Sequence, residues 1–147
     1  MSRYRRADVP GATYFFTVVT YRRRPILCDD PVRAALRQAV KTVQSRHPFT
    51  VDAWVLLPDH LHCMWTLPSD DADYPLRWGL IKRMVSLACA SHYHRADWMT
   101  ASKTKYREST IWQSFRVLLT PTFSLEGEGA KAELMFFHLI AAYLKYP

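Results

Sequence analysis

The chain has 147 residues and a formal net charge of +7, and nearly half of its residues are apolar. This length and apolar content predict one folded domain with a buried core, and they exclude a chain that is disordered over most of its length. The charge predicts an acidic partner, with nucleic acid favoured over a membrane because no basic amphipathic helix dominates. No signal peptide or bilayer-spanning apolar run is visible, so the expected compartment is the cytoplasm.

The distribution of charge indicates where the basic surface lies, and the spacing of the cysteines indicates their role. Residues 1–107 hold 17 Lys and Arg against 9 Asp and Glu, whereas residues 108–147 hold 3 against 4. The basic surface is therefore expected on the first two-thirds of the chain. Cys28, Cys63 and Cys89 include no C-x-x-C pair, so we interpret them as reduced apolar residues rather than disulfide or zinc ligands.

The first predicted element is a strand followed by a basic cluster. Residues 13–20 are dense in β-branched and aromatic side chains and are apolar on both faces, which favours a central strand. Arg22, Arg23 and Arg24 then follow Tyr21. Arginines beside a tyrosine suit phosphate contacts combined with base stacking, and a solvated turn is the alternative that the triplet alone leaves open.

A helix and two strands are predicted next. Asp29-Asp30-Pro31 is typical of a helix start, and apolar residues recur at helical spacing until His47-Pro48. Residues 49–57 alternate as a second strand, and residues 62–67 continue as a third, which begins at two histidines. Pro58-Asp59 makes the turn between them.

The remaining sequence mixes helical and polar segments. Lys82 and Arg83 lie on an amphipathic helix whose apolar stripe points to the core. The further predicted elements are a polar mobile loop over 91–110, a strand-like run over 111–119 and a last helix over 133–146.

The strongest chemical signal is a pair of histidines one residue apart. Side chains alternate across a strand, so His60 and His62 project from one face while Leu61 points into the core. Two imidazoles on one face suit several divalent metals, and a pair of purely structural, hydrogen-bonded histidines is the alternative. His92 and His94 repeat the spacing, but at a helix end they would point about 200° apart, and a shared metal is not expected.

Several sequence segments in order carry a family resemblance. They are residues 3–6 before Pro10-Gly11, residues 14–20, 23–27, 47–49, 53–62 and 65–68, Arg77-Trp78 before Ile81-Lys82, and Ile111-Trp112-Gln113. With Leu-Pro-Asp-His-Leu-His at their centre, the chain resembles the single-tyrosine transposases of the HUH nuclease class, and within them the REP-associated tyrosine transposases of bacteria. The likeness covers about residues 1–113. We predict this range as the core and residues 114–147 as a diverged C-terminal segment with a terminal helix, in the same domain.

The resemblance implies an α+β fold, with a central antiparallel sheet flanked by helices in a ferredoxin-like or RRM-like arrangement. It also implies a transposase that nicks and rejoins single-stranded DNA at hairpin, REP-like sites through a 5′-phosphotyrosine intermediate. By that likeness His60 and His62 hold Mg²⁺ or Mn²⁺, and a tyrosine of the last helix attacks the phosphate. The protein is expected in the bacterial cytoplasm near the nucleoid, as a monomer or a homodimer. The implied DNA contacts are Arg3, Arg5, Arg6, Arg22, Arg23, Arg24, Lys82 and Arg83.

The resemblance ends after Gln113, where the family's next motifs are not found. The end of the last helix is weakly similar to the family's tyrosine segment. This similarity aligns Tyr143 with the nucleophile, and Tyr146 is the second candidate. Pro147 then falls where the family has a polar third metal ligand, and proline cannot ligate. We therefore expect a diverged or frame-shifted end. Two alternative functions stay open: a relative that only binds DNA hairpins, and a metal hydrolase in which Asp59 helps to activate water.

Overall fold

A computed structural model describes residues 9–113, which form a three-stranded antiparallel sheet with helices. This architecture confirms the predicted α+β class. A 3₁₀ turn, Tyr21–Arg23, follows the first strand, and a second, Ala96–Trp98, lies between the last two helices. The strands and helices are β1 (Thr13–Val19), α1 (Asp30–Arg46), β2 (Thr50–Leu56), β3 (His60–Thr66), α2 (Tyr74–Ala88), α3 (Ala90–Tyr93) and α4 (Ala101–Lys105).

The sheet order is β1-β3-β2, so among residues 9–113 the central strand is β3, and β1, which was predicted to be central, is an outer strand. The apolar pattern of β1 reflects burial of both its faces, since Phe15 is 6% and Phe16 0% exposed. Its outer edge is also partly paired, because Thr20 forms a bridge with Trp112 and the Gln113 amide donates to the Val19 carbonyl at 3.0 Å. Two-sided burial, rather than a central position, therefore explains the pattern.

The main core lies between one face of the sheet and the helix pair α1 and α2. Alternate residues of β1 and β3 point toward the helices, as the period of a strand requires. The indole rings of Trp65 and Trp78 stack at 4.4 Å with planes 13° apart, which joins β3 to α2. The buried residues of this core include Tyr14, Phe16 and Val18 from β1, Leu61, Cys63 and Trp65 from β3, Val32, Leu36, Ala39 and Val43 from α1, and Ile81 and Val85 from α2.

A buried arginine fixes the ends of the two helices. The Arg77 side chain is 1% exposed, and its guanidinium donates to the carbonyls of His47 (3.2 Å), Pro48 (2.8 Å) and Asp73 (2.9 Å). It also pairs with the Asp71 carboxylate at 2.6 Å. A buried guanidinium is tolerated only when its donors are satisfied in this way. Arg77 therefore connects the C-terminal end of α1 to the N-terminal end of α2.

The predicted mobile loop over 91–110 is instead a series of short helical segments. Its two ends are joined, because the Arg95 amide donates to the Thr110 hydroxyl at 2.8 Å. Lys103 is buried and its ammonium lies 3.5 Å from the Glu108 carboxylate. These contacts stabilise segments too short to give a periodic apolar pattern, so their composition alone indicated a loop.

Some predicted elements lie outside the described residues. They are the part of the strand-like run beyond Gln113, the last helix over 133–146 and the boundary-defining segment 114–147. Across residues 9–113, no helix has the length and apolar character needed to cross a membrane.

Candidate metal centre and nucleic-acid interface

The two histidines open β3 on the sheet face opposite α1 and α2. Antiparallel pairing sets Val19 across from His60 and Thr17 across from His62. The imidazole centroids are 5.0 Å apart with ring planes at 82°. Leu61 between them is fully buried in the core. The alternation of a single strand thus brings the rings together, as the sequence predicts, while their metal role stays a prediction.

Each imidazole is fixed through its Nδ1 atom. His60 Nδ1 lies 2.6 Å from a carboxylate oxygen of Asp59, and His62 Nδ1 lies 2.9 Å from the Thr17 hydroxyl. The Phe15 ring stacks on His62 with centroids 5.6 Å apart and planes at 18°. Metal-ligating histidines are usually oriented in this way by a second hydrogen-bonding partner. For His60 the carboxylate favours a proton on Nδ1, which leaves Nε2 as the nitrogen suited to ligation.

Electrostatics favour neutral imidazole at His62 and ionised carboxylate at Asp59. Burial, and then the neighbouring His60, lower the pKa of His62 to about 4, so this ring is neutral near pH 7, the form that binds metals. Partial burial alone would raise the pKa of Asp59, but hydrogen bonds from His60 and Arg23 outweigh it and the pKa is lowered. Asp59 is therefore an anionic acceptor beside His60.

The imidazoles of His60 and His62 are suited to be two of the ligands of a divalent cation. Within residues 9–113 no group of three or more His, Cys, Asp or Glu side chains could enclose a metal. The Asp59 carboxylate is already engaged by His60 and by Arg23 at 3.0 Å, which makes it a support for the ring rather than a base for water. Further ligands would have to be water, phosphate oxygens or residues outside the described part. Tyr143, Tyr146 and Pro147 all lie there.

The arginine cluster is attached directly to the histidine turn. The backbone amide and the hydroxyl of buried Thr20 both donate to the Asp59 carbonyl, each at 2.9 Å, and the Leu27 amide donates to the Pro58 carbonyl at 2.8 Å. Arg22 and Arg23 have left-handed backbone conformations, with φ of 56° and 51°. The structure thus brings the predicted residues 22–24 next to the predicted metal ligands.

Of the other predicted DNA contacts, Lys82 is found near the arginine cluster in the described residues. Lys82 lies beside residues 111–113, with its ammonium 3.5 Å from the Gln113 carbonyl and 5.9 Å from the centre of the Trp112 ring. Burial lowers the pKa of Lys82 to about 8, although Glu108 opposes the shift. Because residues 111–113 pair with the end of β1, Lys82 lies at the same end of that strand as the arginine cluster. Arg83 is exposed on α2, and Arg3, Arg5 and Arg6 lie outside the described residues.

Three contributors to this region are not indicated by the sequence alone. Thr17 faces His62 only because of the strand register. Trp98 and Arg95 come from the segment expected to be a loop, yet both approach the arginine cluster. The Arg22 guanidinium carbon lies 4.7 Å from the centre of the Trp98 ring. The sequence feature that could have indicated Trp98 is a tryptophan within a basic segment, since arginines often pack against aromatic rings.

Comparison with known proteins defines the class. The family model for IS200-like transposases matches residues 8–120, and the chain belongs to this family. Within it, an Escherichia coli K12 REP-associated tyrosine transposase is 45% identical over 89 residues, which are 60% of this chain and 53% of the relative. A Haemophilus influenzae protein assigned provisionally to the same group is 34% identical over 113 residues, 77% of this chain and 62% of the relative. The chain thus spans little more than half the length of these relatives.

Comparison with a solved structure leads to the same family. The REP-associated tyrosine transposase bound to a REP hairpin has a TM-score of 0.70 and 30% identity, covering 100% of this chain and 76% of that chain. The family and fold class predicted from the sequence are therefore confirmed. The family match ends at residue 120, so Tyr143 lies beyond it.

Proposed function

We propose that this chain nicks and rejoins single-stranded DNA at hairpin, REP-like sites through a 5′-phosphotyrosine intermediate and a divalent metal. The observation that carries the proposal is the pair of imidazoles, 5.0 Å apart and each fixed at Nδ1, beside three consecutive arginines. Family membership and the relative bound to a REP hairpin support the transposase class and the hairpin partner.

In this proposal His60 and His62 are the metal ligands from the sheet. Mg²⁺ or Mn²⁺ held there would neutralise charge on a phosphate oxygen during phosphoryl transfer. Asp59 and Thr17 hold the two rings in their ligating orientation, which avoids reorganisation when the phosphate arrives. Phe15 stacked on His62 excludes water from one side of that ring.

The nucleophile is proposed to come from the C-terminal segment, residues 114–147, acting with the core of residues 1–113. The Tyr143 hydroxyl releases its proton to solvent as its oxygen attacks phosphorus in line, a phosphorus–oxygen bond to tyrosine forms, and the bond to the 3′-oxygen breaks. That oxygen takes up a proton and leaves as a free 3′-hydroxyl, which can later attack the phosphotyrosine and rejoin strands. The covalent bond conserves the energy needed for joining. Tyr146 is the second candidate.

Basic residues are proposed to hold the hairpin, with the protein acting as a monomer or a homodimer. Arginine and lysine contacts to phosphates position a nucleic acid without reading its sequence. Removal of any one of these side chains should weaken binding and reduce the salt dependence of the affinity. The proposed contacts are Arg3, Arg5, Arg6, Arg22, Arg23, Arg24, Lys82 and Arg83.

The test is covalent capture of DNA by the full chain. A labelled hairpin with unpaired flanks is incubated with Mn²⁺ and resolved on a denaturing gel. We expect a protein–DNA adduct that is lost in Tyr143→Phe and retained in Tyr146→Phe. His60→Ala and His62→Ala should abolish it, whereas His92→Ala, a change of an exposed histidine bonded to Ser91, should not.

Each result selects one function. An adduct that persists in Tyr143→Phe removes Tyr143 from the role, and one that persists without His60 and His62 contradicts the metal centre. Tight hairpin binding with no adduct in the unmodified protein favours the relative that only binds hairpins. Cleavage with no adduct favours the metal hydrolase.

A further inference from the structure

Trp98 is surrounded by three guanidinium groups from two separate parts of the chain. The guanidinium carbons of Arg22, Arg95 and Arg24 lie 4.7, 4.9 and 5.2 Å from the centre of its ring. The Tyr21 ring lies 6.0 Å from the same indole, tilted by 56°. One cation over an aromatic ring is a common structural contact, whereas three mutually repelling cations around one ring need a further reason.

The positive charge of this cluster is incompletely neutralised. Arg95 forms a two-point pair with Asp97, both contacts at 3.1 Å. Across residues 9–113 neither Arg22 nor Arg24 forms an ion pair within 4.0 Å, although Asp97 lies near enough to attract Arg22. Arg24 donates instead to the neutral carbonyl of Tyr93 at 2.7 Å. Partial burial, and then repulsion from Arg95, lower the pKa of Arg24. An anion would relieve this repulsion.

The backbone has an uncommon conformation at Arg22, which belongs to the cluster, and at its neighbour Arg23. Arg22 and Arg23 have φ of 56° and 51°, a region that side-chain-bearing residues rarely adopt. Such conformations persist where the surroundings fix them and are concentrated at functional sites. Here the fixing contacts are those of Thr20, whose single hydroxyl hydrogen is shared between the carbonyls of Arg24 (2.8 Å) and Asp59 (2.9 Å).

We propose that Trp98, with Arg22, Arg24 and Arg95, forms a binding site for one unpaired nucleotide of the DNA strand. The base stacks on the layer of indole and guanidinium planes, and Arg22 and Arg24 hold the adjoining phosphate. An unpaired nucleotide fits this cluster better than a duplex because only an unstacked base exposes its flat face to an aromatic side chain.

The site also lies beside the candidate metal centre. Arg23, which lies between Arg22 and Arg24 in the sequence, donates to Asp59 at 3.0 Å, and Asp59 contacts His60 at 2.6 Å. A nucleotide held on Trp98 would therefore belong to the strand that approaches the histidines. This inference rests on the proposed function, because it deepens how that DNA is recognised.

The test compares two hairpins without metal, so that cleavage plays no part. One hairpin carries unpaired flanks and the other is blunt, and each is titrated with the full chain in a chelator while fluorescence anisotropy is recorded. We expect Trp98→Ala to weaken binding of the flanked hairpin roughly ten- to hundredfold, as loss of one stacked base does, and to leave the blunt one unchanged. Trp98→Phe should retain most of the affinity.

The matched control is Tyr106→Ala. Tyr106 is 65% exposed with one lysine near its ring, at 5.5 Å, and its removal should change neither affinity. Circular dichroism checks that each variant is folded. Should Trp98→Ala fail to fold, Arg22→Ala and Arg24→Ala are compared instead; as phosphate contacts they should weaken binding of both hairpins, but of the flanked hairpin more strongly.

Equal weakening of both hairpins, or no weakening of either, in folded variants overturns the nucleotide site. Failure of the proposed function is seen separately, as absence of the covalent adduct with Mn²⁺. Flank-dependent loss of binding in Trp98→Ala supports the site whether or not an adduct forms.

Discussion

Replacement of Asp59 by asparagine should reduce metal affinity while leaving both imidazoles in place. The carboxylate lies 2.6 Å from His60 Nδ1, and its lowered pKa keeps it anionic. The asparagine amide would still accept a hydrogen bond, but without the charge that fixes the ring tautomer and raises the basicity of Nε2. Loss of such a partner typically costs about 10–100-fold in metal affinity, which corresponds to about 1.4–2.8 kcal/mol.

The assay is Mn²⁺ titration of the full chain followed by electron paramagnetic resonance, which reports the free ion. Asp52→Asn is the matched control, since Asp52 accepts a hydrogen bond from Thr66 at 2.7 Å at the other end of the sheet. It should bind Mn²⁺ as the unmodified protein does. Equal affinities in Asp59→Asn and Asp52→Asn would refute the assignment of Asp59 as the support of a metal ligand.

Three further predictions concern the His62 imidazole and the stability of the fold. Thr17→Val should lower Mn²⁺ affinity about tenfold in the same titration, since the hydrogen bond that orients the His62 ring is removed. Thr13→Val, a change on the same face of β1, should not. Arg77→Met should lower the free energy of unfolding by about 3 kcal/mol in urea, because three backbone carbonyls lose their donor, whereas Arg33→Met should change it by less than about 0.5 kcal/mol. The Arg77 hydrogen bond lowers the pKa of Asp71, so its stabilisation is present above about pH 4 and lost as the pH falls through the lowered value. Asp71→Asn should reduce stability at pH 7 and flatten that acid dependence.

Much of the framework follows from local rules of sequence. Alternation in β3 predicts that His60 and His62 share a face, and the rings are 5.0 Å apart. The acidic start and the Pro at Asp29-Asp30-Pro31 predict α1, which begins at Asp30 and ends at Arg46. Both patterns depend on residues that are close in sequence, and the tertiary contacts of the fold agree with them.

The supporting contacts could not be obtained in that way because they depend on register and on loop conformation. Thr17 faces His62 across two strands separated by 45 positions. A shift of one residue in that pairing would have presented a different side chain. Trp98 contacts Arg22 only because residues 20–27 are bonded to the histidine turn and the segment after α2 folds into short helices. Neither periodicity nor composition encodes these long-range contacts.

The same loop connects the candidate metal centre and the proposed nucleotide site, and a double-mutant cycle can measure that connection. Arg23 is 55% exposed in its pair with Asp59, so Arg23→Ala alone should lower Mn²⁺ affinity by only a few-fold. Because the path from Arg23 to His60 runs through the Asp59 carboxylate, combining Arg23→Ala with Asp59→Asn should cost no more than Asp59→Asn alone. If the two losses simply multiply, Arg23 influences the metal site by a route that does not involve Asp59, and the hydrogen-bonded chain from the arginine loop to the imidazole is not the means of coupling.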